Sequence, residues 1–448
     1  MRTRRQFLRD TGCGLGTAAL LSAFDRFSRL DAAVSPAAAT DYRALVCIFL
    51  FGGNDGNNTV IPYDDYAAYA AVRGTALNIP KASLLEVNAP SQKAAFGLHP
   101  SLVELQSLYN GGHLAVLANV GTLAAPVTRA QYLAGAPAPD NLFSHADQQN
   151  EWQSSVVLES DPRASTGWGG RLADTTGPLN AVSFPMVVSV AGVPLFTTGV
   201  SARPLVPGSG LAGFSNSAAS KARYTALRNI LQADSSTTLV GAANTITSSG
   251  IDNIATLNTA LAQVAPLKTV FPSTSLGSQL QTIAQVIASR SALQMSRQIF
   301  FASLGGFDTH TDELNTQLSL LTQVSQAMAA FYEATVELGI ATQVTSFTNS
   351  DFGRTFLPAS GGGTDHAWGS HHFIMGGSVK GGDFYGTFPT LAVNGPDDAS
   401  NEGRWIPTTS VDQYGATLAQ WYGVAAKDLP TVFPYIGQFG TNPLGFLS

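Results

Sequence analysis

Apolar residues recur along the chain in short, near-continuous runs, and polar positions seldom alternate with them. Such runs are typical of parallel strands that are covered on both faces of a sheet. Amphipathic helical segments alternate with the runs, so the pattern predicts an α/β fold with a mainly parallel central sheet flanked by helices. The predicted strands cover residues 44–51, 114–121, 184–192, 297–305, 341–349 and 388–395.

The helical period is clearest in residues 311–339, which are predicted to form one long helix from a Thr311 cap to a stop at Gly339. This helix leads into the strand before Asp351. Its apolar stripe, with spacings of three and four, consists of Leu314, Leu318, Leu321, Val324, Met328 and Phe331.

Residues 207–290 differ in composition from the rest of the chain, being rich in Ser, Thr, Ala and Gln. Leu276, Leu280, Ile283 and Ile287 form a narrow stripe there, and a sustained apolar period favours helices over a flexible linker. We therefore expect residues 40–448 to form a single domain that carries a helical insertion, packed over or beside the core, at about 207–290.

The N-terminal residues 1–39 have the composition of an export signal. A basic start with the pair Arg4-Arg5 before Phe7-Leu8 is followed by a short apolar run and then by small residues. The paired arginines are typical of twin-arginine export, and the apolar run is too short to span a bilayer. The pattern predicts a periplasmic or extracellular protein that engages the twin-arginine machinery and has no membrane-spanning segment after cleavage.

Charge and cysteine content exclude several partner classes. The predicted signal holds six arginines and three aspartates, so removing it from a chain with 24 basic and 30 acidic residues leaves 18 basic and 27 acidic residues. A net charge of −9 argues against nucleic acid as a partner. Cys47 is then the remaining cysteine, which excludes an intrachain disulfide and a cysteine-based metal site.

Polar residues gather where the predicted strands end. Asp55 follows the first strand, Asp308 and His310 follow a middle strand, and Asp351 follows the next. Ligands collect beyond the carboxyl ends of parallel strands, and mixed His and carboxylate side chains favour a catalytic metal site. The loop after Asp351 adds three of the seven histidines and another acid, namely Asp365, His366, His371 and His372.

Each of these motifs also has a structural explanation, as a tight turn, a helix N-terminus or an exposed turn. Their coincidence at several strand ends favours a shared polar site that binds a divalent metal, zinc or manganese, with calcium as an alternative.

The motifs "FLFGGNDGNNTVIPY", "LGGFDTHTDE", "SDFGRT" and "GTDHAWGSHHFIMGG", together with the signal, resemble the exported bacterial family DUF1501 over essentially the whole mature chain. That family is grouped with the alkaline phosphatase superfamily. The resemblance implies an alkaline-phosphatase-like fold with a metal site at the carboxyl edge of its sheet, but it brings no established reaction.

Carried over to this chain, the resemblance implies that Asp55, Asp308, His310, Asp351 and His366 bind metal. Asp365 and His372 are possible partners or substitutes for His366, and Arg354 and His371 are candidates for contacts with an oxyanion. Phe352 follows Asp351 where the superfamily has a histidine, so one ion and two ions both stay open.

Hydrolysis in this superfamily also needs a nucleophile at a helix N-terminus. Ser144 in "NLFSHADQQNEWQ" is the first candidate and Thr59 the second, and Ser144 could instead be only an N-cap. A formylglycine sulfatase is disfavoured, since neither Cys47 nor Ser160 begins the required Pro and Arg spacing.

The sequence thus predicts an exported metal-dependent hydrolase that acts on a phosphate or related, including sulfate, ester of a small molecule or a polymer. The alternative is a non-catalytic exported binding protein that keeps the fold, with one structural metal.

Overall fold

A computed structural model describes residues 41–207, 217–233, 238–440 and 442–448 of the chain. The predicted signal at 1–39 lies outside the described residues. The strands are β1 (Arg43–Leu50), β2 (Val60–Pro62), β3 (Leu85–Ala89), β4 (Ala94–Leu98), β5 (Leu114–Gly121), β6 (Val187–Ser189), β7 (Arg297–Leu304), β8 (Val344–Ser350), β9 (Ser370–Gly376), β10 (Phe384–Tyr385) and β11 (Thr409–Ser410).

The helices in the first half of the chain are α1 (Gly56–Thr59), α2 (Tyr66–Leu77), α3 (Val103–Asn110), α4 (Arg129–Leu133), α5 (His145–Ser154) and α6 (Trp168–Thr176). Those in the second half are α7 (Ala218–Ala233), α8 (Thr238–Leu261), α9 (Ser275–Ala288), α10 (Glu313–Glu337), α11 (Val411–Tyr422), α12 (Leu429–Val432) and α13 (Ile436–Phe439).

The central sheet has eight strands in the order β10-β5-β9-β8-β1-β7-β6, with β11 also paired to β5. All pairs are parallel except those of β9, which runs antiparallel to β5 and β8. β2, β4 and β3 form a separate antiparallel sheet. The predicted mixed α/β fold with a mainly parallel central sheet is therefore confirmed.

Helices cover the sheet because their apolar stripes are buried against it. In α10 the predicted stripe is largely buried, including Leu321, Val324 and Phe331. Leu318 is instead 53% exposed, since it lies on the outer side of the helix. In α9, Leu276 and Ile283 are buried and belong to a continuous buried face of the helix.

The other two helices of the range predicted as an insertion bury little surface. No residue of α7 is buried, and α8 buries only Leu257 and Ala260, near its C-terminal end. α9, the third helix in that range, thus belongs to the layer over the sheet, whereas α7 and most of α8 lie outside it. No described helix combines the length and apolar character needed to cross a bilayer.

Two strand predictions are wrong. Residues 388–395 form no strand, because Pro389 has no N–H for a ladder and Asn394 adopts a left-handed conformation with φ of 60°. The loop predicted after Asp351 was extended to His372, but residues 370–372 begin β9, which is buried on both faces. Because β9 begins with Ser-His-His, it lacks the long apolar run by which the other strands were predicted.

Candidate metal centre

Three adjacent parallel strands deliver their following loops to one place. β8 and β7 pair with β1 on either side, and Leu50 lies in register with Leu304 and Ser350 at the three carboxyl ends. The first and middle loops touch closely at Gly52, whose φ of +117° requires glycine. A Cβ added to Gly52 would lie 2.3 Å from the backbone nitrogen of Asp308.

Arg354 joins these loops. Its Nε donates to the carbonyl of Gly53 at 2.9 Å, and its Nη1 donates to the carbonyl of Thr364 at 3.1 Å. Its Nη2 donates to the carbonyls of Gly52 and Phe307 and, at 2.5 Å, to Asp308 Oδ1. The guanidinium is buried, and its N–H groups already donate to these acceptors. This arrangement does not favour the predicted contact of Arg354 with a substrate oxyanion.

Three histidines surround the Asp308 carboxylate. Asp308 Oδ1 lies 3.1 Å from His310 Nε2, 3.3 Å from His145 Nε2 and 3.6 Å from His366 Nε2. The Nε2 atoms of His310 and His366 are 3.0 Å apart. We call these four side chains the His–Asp cluster. Asp308 is 48% exposed in its side chain, so the cluster opens to solvent.

Each histidine of the His–Asp cluster has its other ring nitrogen held by an oxygen. His145 Nδ1 lies 2.7 Å from Asp351 Oδ2, and His310 Nδ1 lies 3.1 Å from Asp365 Oδ1. His366 Nδ1 donates to the carbonyl of Phe143 at 2.7 Å. Since these acceptors favour a proton on Nδ1, they leave the Nε2 lone pairs free to face Asp308, as in metal-binding histidines.

The environment also adjusts the protonation of the cluster. The hydrogen bond with Asp351 raises the pKa of His145, and burial lowers the pKa of His366. Burial would raise the pKa of Asp308, but the hydrogen bond and charge of Arg354 outweigh it and the pKa is lowered. Asp308 is therefore a carboxylate at neutral pH, and His366 is a neutral imidazole.

The spacing of the His–Asp cluster fits a metal ion. Ligands of a tetrahedral ion with bond lengths of about 2.1 Å lie about 3.4 Å apart, and four of the six separations in the cluster are 3.0 to 3.6 Å. The ligand atoms of His145, Asp308 and His366 all lie within 4.8 Å of one another. His145 Nε2 is buried and has no hydrogen-bond partner among the described residues. A buried ring nitrogen without a partner is costly, and a metal bond would satisfy it.

Asp55, a predicted ligand, lies outside the His–Asp cluster. Its two carboxylate oxygens accept from Arg73 Nη2 at 2.8 and 2.6 Å, and Oδ1 also accepts from the backbone N–H of Asn57 at 2.9 Å. Asp55 thus caps the short helix α1 and forms a buried ion pair. The local sequence shows the cap, but only the fold places Arg73 beside it.

His371 and His372 also lie elsewhere, because β9 carries them into the core. His371 Nδ1 accepts from the N–H of Asn119 at 3.1 Å, and the His372 ring packs 4.8 Å from that of Trp152. Burial lowers the pKa of both histidines to about 3. These positions do not favour the predicted oxyanion contact of His371 or the predicted metal contact of His372.

Ser144 lies directly before His145, at the N-cap of α5, and its side chain makes no capping hydrogen bond. The N-cap position was the structural alternative for this residue, and the hydroxyl is not used for it. Thr59, the second candidate, donates its hydroxyl to the carbonyl of Asp55 at 2.7 Å and is buried.

His145 was not among the predicted metal ligands, although it directly follows the predicted nucleophile Ser144. The available signal was its place at the start of a helix, in a chain with only seven histidines. Asp351 was predicted as a ligand, and the structure instead places its Oδ2 on His145 Nδ1.

Residues 42–402 match the family model described as "Protein of unknown function (DUF1501)". The chain belongs to the DUF1501 family. The match to DUF1501 begins just before β1 and includes every member of the His–Asp cluster. No curated protein matches the chain.

Among solved structures, this DUF1501 chain is similar to "Crystal structure of Ps i-CgsB in complex with k-i-k-neocarrahexaose". The identity is 10%, the TM-score is 0.36, and the match covers 89% of this chain and 77% of the other. At that TM-score the likeness carries no argument about the site or the reaction.

Proposed function

We propose that this DUF1501 protein is an exported metal-dependent hydrolase of a phosphate or related ester, with an alkaline-phosphatase-like fold. The observation that carries the proposal is the convergence of three Nε2 atoms on Asp308 Oδ1, each imidazole being held from its far side by an oxygen. Imidazole ligands favour zinc over calcium, which prefers oxygen ligands. The export signal predicted at residues 1–39 supports the proposed location.

The residues that would hold the ion are His145, Asp308, His310 and His366. A divalent ion bound there would lower the pKa of a nearby hydroxyl or water and stabilise negative charge on the ester. The half-exposed carboxylate of Asp308 leaves an approach from solvent.

Ser144 is the proposed nucleophile. Its Oγ would form a bond to phosphorus or sulfur as the bond to the ester oxygen breaks, and the hydroxyl proton would end on the departing alcohol. Water would then cleave the seryl ester, which releases the inorganic anion and restores the hydroxyl. The first N–H groups of α5 lack intrahelical acceptors and would stabilise the transferred anion.

The alternative, a non-catalytic binding protein with a structural metal, is favoured by one observation. The two residues predicted to contact an oxyanion, Arg354 and His371, are both buried and occupied by backbone groups. If the protein is a hydrolase, the metal and the N-terminus of α5 would have to stabilise the charge that develops on the ester, without Arg354 or His371.

The first test is metal content. The mature protein, purified without chelator or affinity histidines, should contain bound metal, and the Asp308→Ala/His366→Ala variant should lose it. His113→Ala is the control, because His113 stacks on Tyr332 and lies outside the His–Asp cluster. A wild-type protein that stays metal-free when supplied with zinc, manganese and calcium would refute the proposal.

The second test is a screen of phosphate monoesters, phosphate diesters and sulfate esters with the metal-loaded protein. Turnover that Ser144→Ala abolishes supports the hydrolase and its nucleophile. Turnover that survives Ser144→Ala removes the nucleophile assignment, and bound metal without turnover of any ester favours the binding protein.

A further inference from the structure

Two carboxylates near the His–Asp cluster, Asp55 and Asp351, determine how many ions the centre can bind. We propose that the centre binds a single divalent ion, and that Asp351 is a positioning residue for His145 rather than a metal ligand. This inference rests on the proposed metal centre and deepens it, since the predicted ligand set alone allowed one ion or two.

Asp55 is not available to a second ion. Arg73 Nη2 contacts both of its carboxylate oxygens, and the side chains of Arg73 and Asp55 are 0% and 1% exposed. A second cation at Asp55 would lie beside this buried guanidinium, where repulsion between like charges is strong because water is excluded. Arg73 thus already supplies the positive charge that balances Asp55.

Asp351 lies on the far side of His145 from the proposed ion. Its Oδ2 lies 2.7 Å from His145 Nδ1 and accepts from Gln149 Nε2 at 2.8 Å. The two nitrogens of an imidazole point away from each other. An ion about 2.1 Å beyond Nε2 would therefore lie more than about 6 Å from an oxygen bonded to Nδ1, far beyond coordination distance.

The second oxygen of the same carboxylate also lies too far from that ion, since the two oxygens of a carboxylate are close together. Asp351 Oδ1 is buried and has no hydrogen-bond partner among the described residues. Among those residues, the group of three or more His, Cys, Asp or Glu side chains close enough to share an ion consists of His145, Asp308 and His366. His310 adjoins it, and neither Asp351 nor Asp55 does.

Asp351 therefore acts through His145. The carboxylate is 0% exposed and is held by Gln149, so it fixes the ring orientation that directs Nε2 toward Asp308. Loss of such a partner typically weakens metal binding 10- to 100-fold without removing a ligand.

The test uses the mature protein, stripped of metal by chelator dialysis and titrated with Zn²⁺ and with Co²⁺. Wild type should bind about one equivalent, with X-ray absorption showing imidazole ligands at the ion. Asp351→Asn keeps the shape and an acceptor oxygen, so it should still bind one equivalent, with affinity 10- to 100-fold lower and an altered Co²⁺ absorption spectrum.

Asp312→Asn is the matched control. Asp312 is an exposed acid in the loop that follows Asp308, it accepts from Asn315, and its left-handed backbone conformation suits asparagine. Its metal affinity should stay within about twofold of wild type, since an exposed charge outside the cluster is screened by solvent. The thermal unfolding of each metal-free variant separates a loss of fold from a loss of binding.

Each outcome decides the inference. Two equivalents in wild type and one in Asp351→Asn would make Asp351 a ligand and overturn it, as would unchanged affinity in Asp351→Asn. No binding to wild type would overturn it together with the proposed function. One equivalent without any ester turnover would sustain this inference while refuting the hydrolase.

Discussion

The buried pair of Arg73 and Asp55 offers the sharpest test of how buried charge is balanced in this protein. We expect Arg73→Met to destabilise the protein strongly. Methionine keeps apolar contact with Phe356, over whose ring the guanidinium lies at 5.4 Å, but it leaves the Asp55 carboxylate buried without its cation. Glu313 is near enough that the charge of Asp55 adds to burial in raising its pKa.

Removing one partner of a buried ion pair costs about 3–5 kcal/mol. The Arg73–Asp55 contacts of 2.6 and 2.8 Å between fully buried side chains justify that range. Folded proteins are stable by about 5–15 kcal/mol, so the substitution removes a large share of the total. The cost arises from the orphaned charge, and removing both charges should therefore restore much of the stability.

The assay is guanidinium chloride unfolding of wild type, Arg73→Met, Asp55→Asn and the double variant, followed by tryptophan fluorescence. Asparagine at position 55 can still accept from the N–H of Asn57 and cap α1. We expect the double variant to be more stable than Arg73→Met and to bind metal with wild-type stoichiometry. A double variant no more stable than Arg73→Met, or a loss below about 1 kcal/mol in Arg73→Met, would show that the pair does not carry the charge balance.

Two further predictions concern pH and the loop contact. Burial raises the pKa of Glu151 from 4.5 to about 9, so its contribution to stability is full below pH 4.5 and is lost as pH rises toward 9. Glutamine at position 151 can still accept from Gln148. The melting temperature of Glu151→Gln should therefore rise relative to that of wild type as the pH increases from 5 to 9, and a difference that does not change with pH would contradict this. Gly52→Ala should impair folding and metal binding, because its Cβ would lie 2.3 Å from Asp308 N. Gly112→Ala, also at positive φ but with nothing within 4 Å, should lose only about 1 kcal/mol in denaturant unfolding, and equal losses would refute the role of close contact.

The predicted strands were most accurate where apolar runs pair with parallel neighbours. β5 occupies residues 114–121 as predicted, β1 differs from prediction by one residue at each end, and β7 ends one residue earlier than predicted. Prediction failed at β9, because an antiparallel strand that begins with Ser-His-His lacks an apolar run. It also failed at 388–395, where an apolar composition outweighed Pro389.

Some of the predicted metal ligands come together in the structure and others do not, for a related reason. Asp308, His310 and His366 were all predicted, and the structure brings them together. Asp55 also follows a strand of the same sheet, but Arg73, 18 residues further along the chain, binds its carboxylate. The position of a residue at a strand end indicates where its backbone lies, but it does not indicate which group its side chain contacts.

The sequence by itself determined the class of fold, the family and the edge of the sheet where polar groups gather, because apolar periods and short motifs are local signals. Tertiary structure alone decided which polar groups share a site. It placed the start of α5 so that His145 faces Asp308, set Asp351 behind His145, and buried His371 and His372 within β9. The physical reason is that coordination and charge pairing depend on separations of a few ångströms between residues far apart in the chain, such as His145 and Asp351, which are 206 positions apart, and no local pattern encodes such separations.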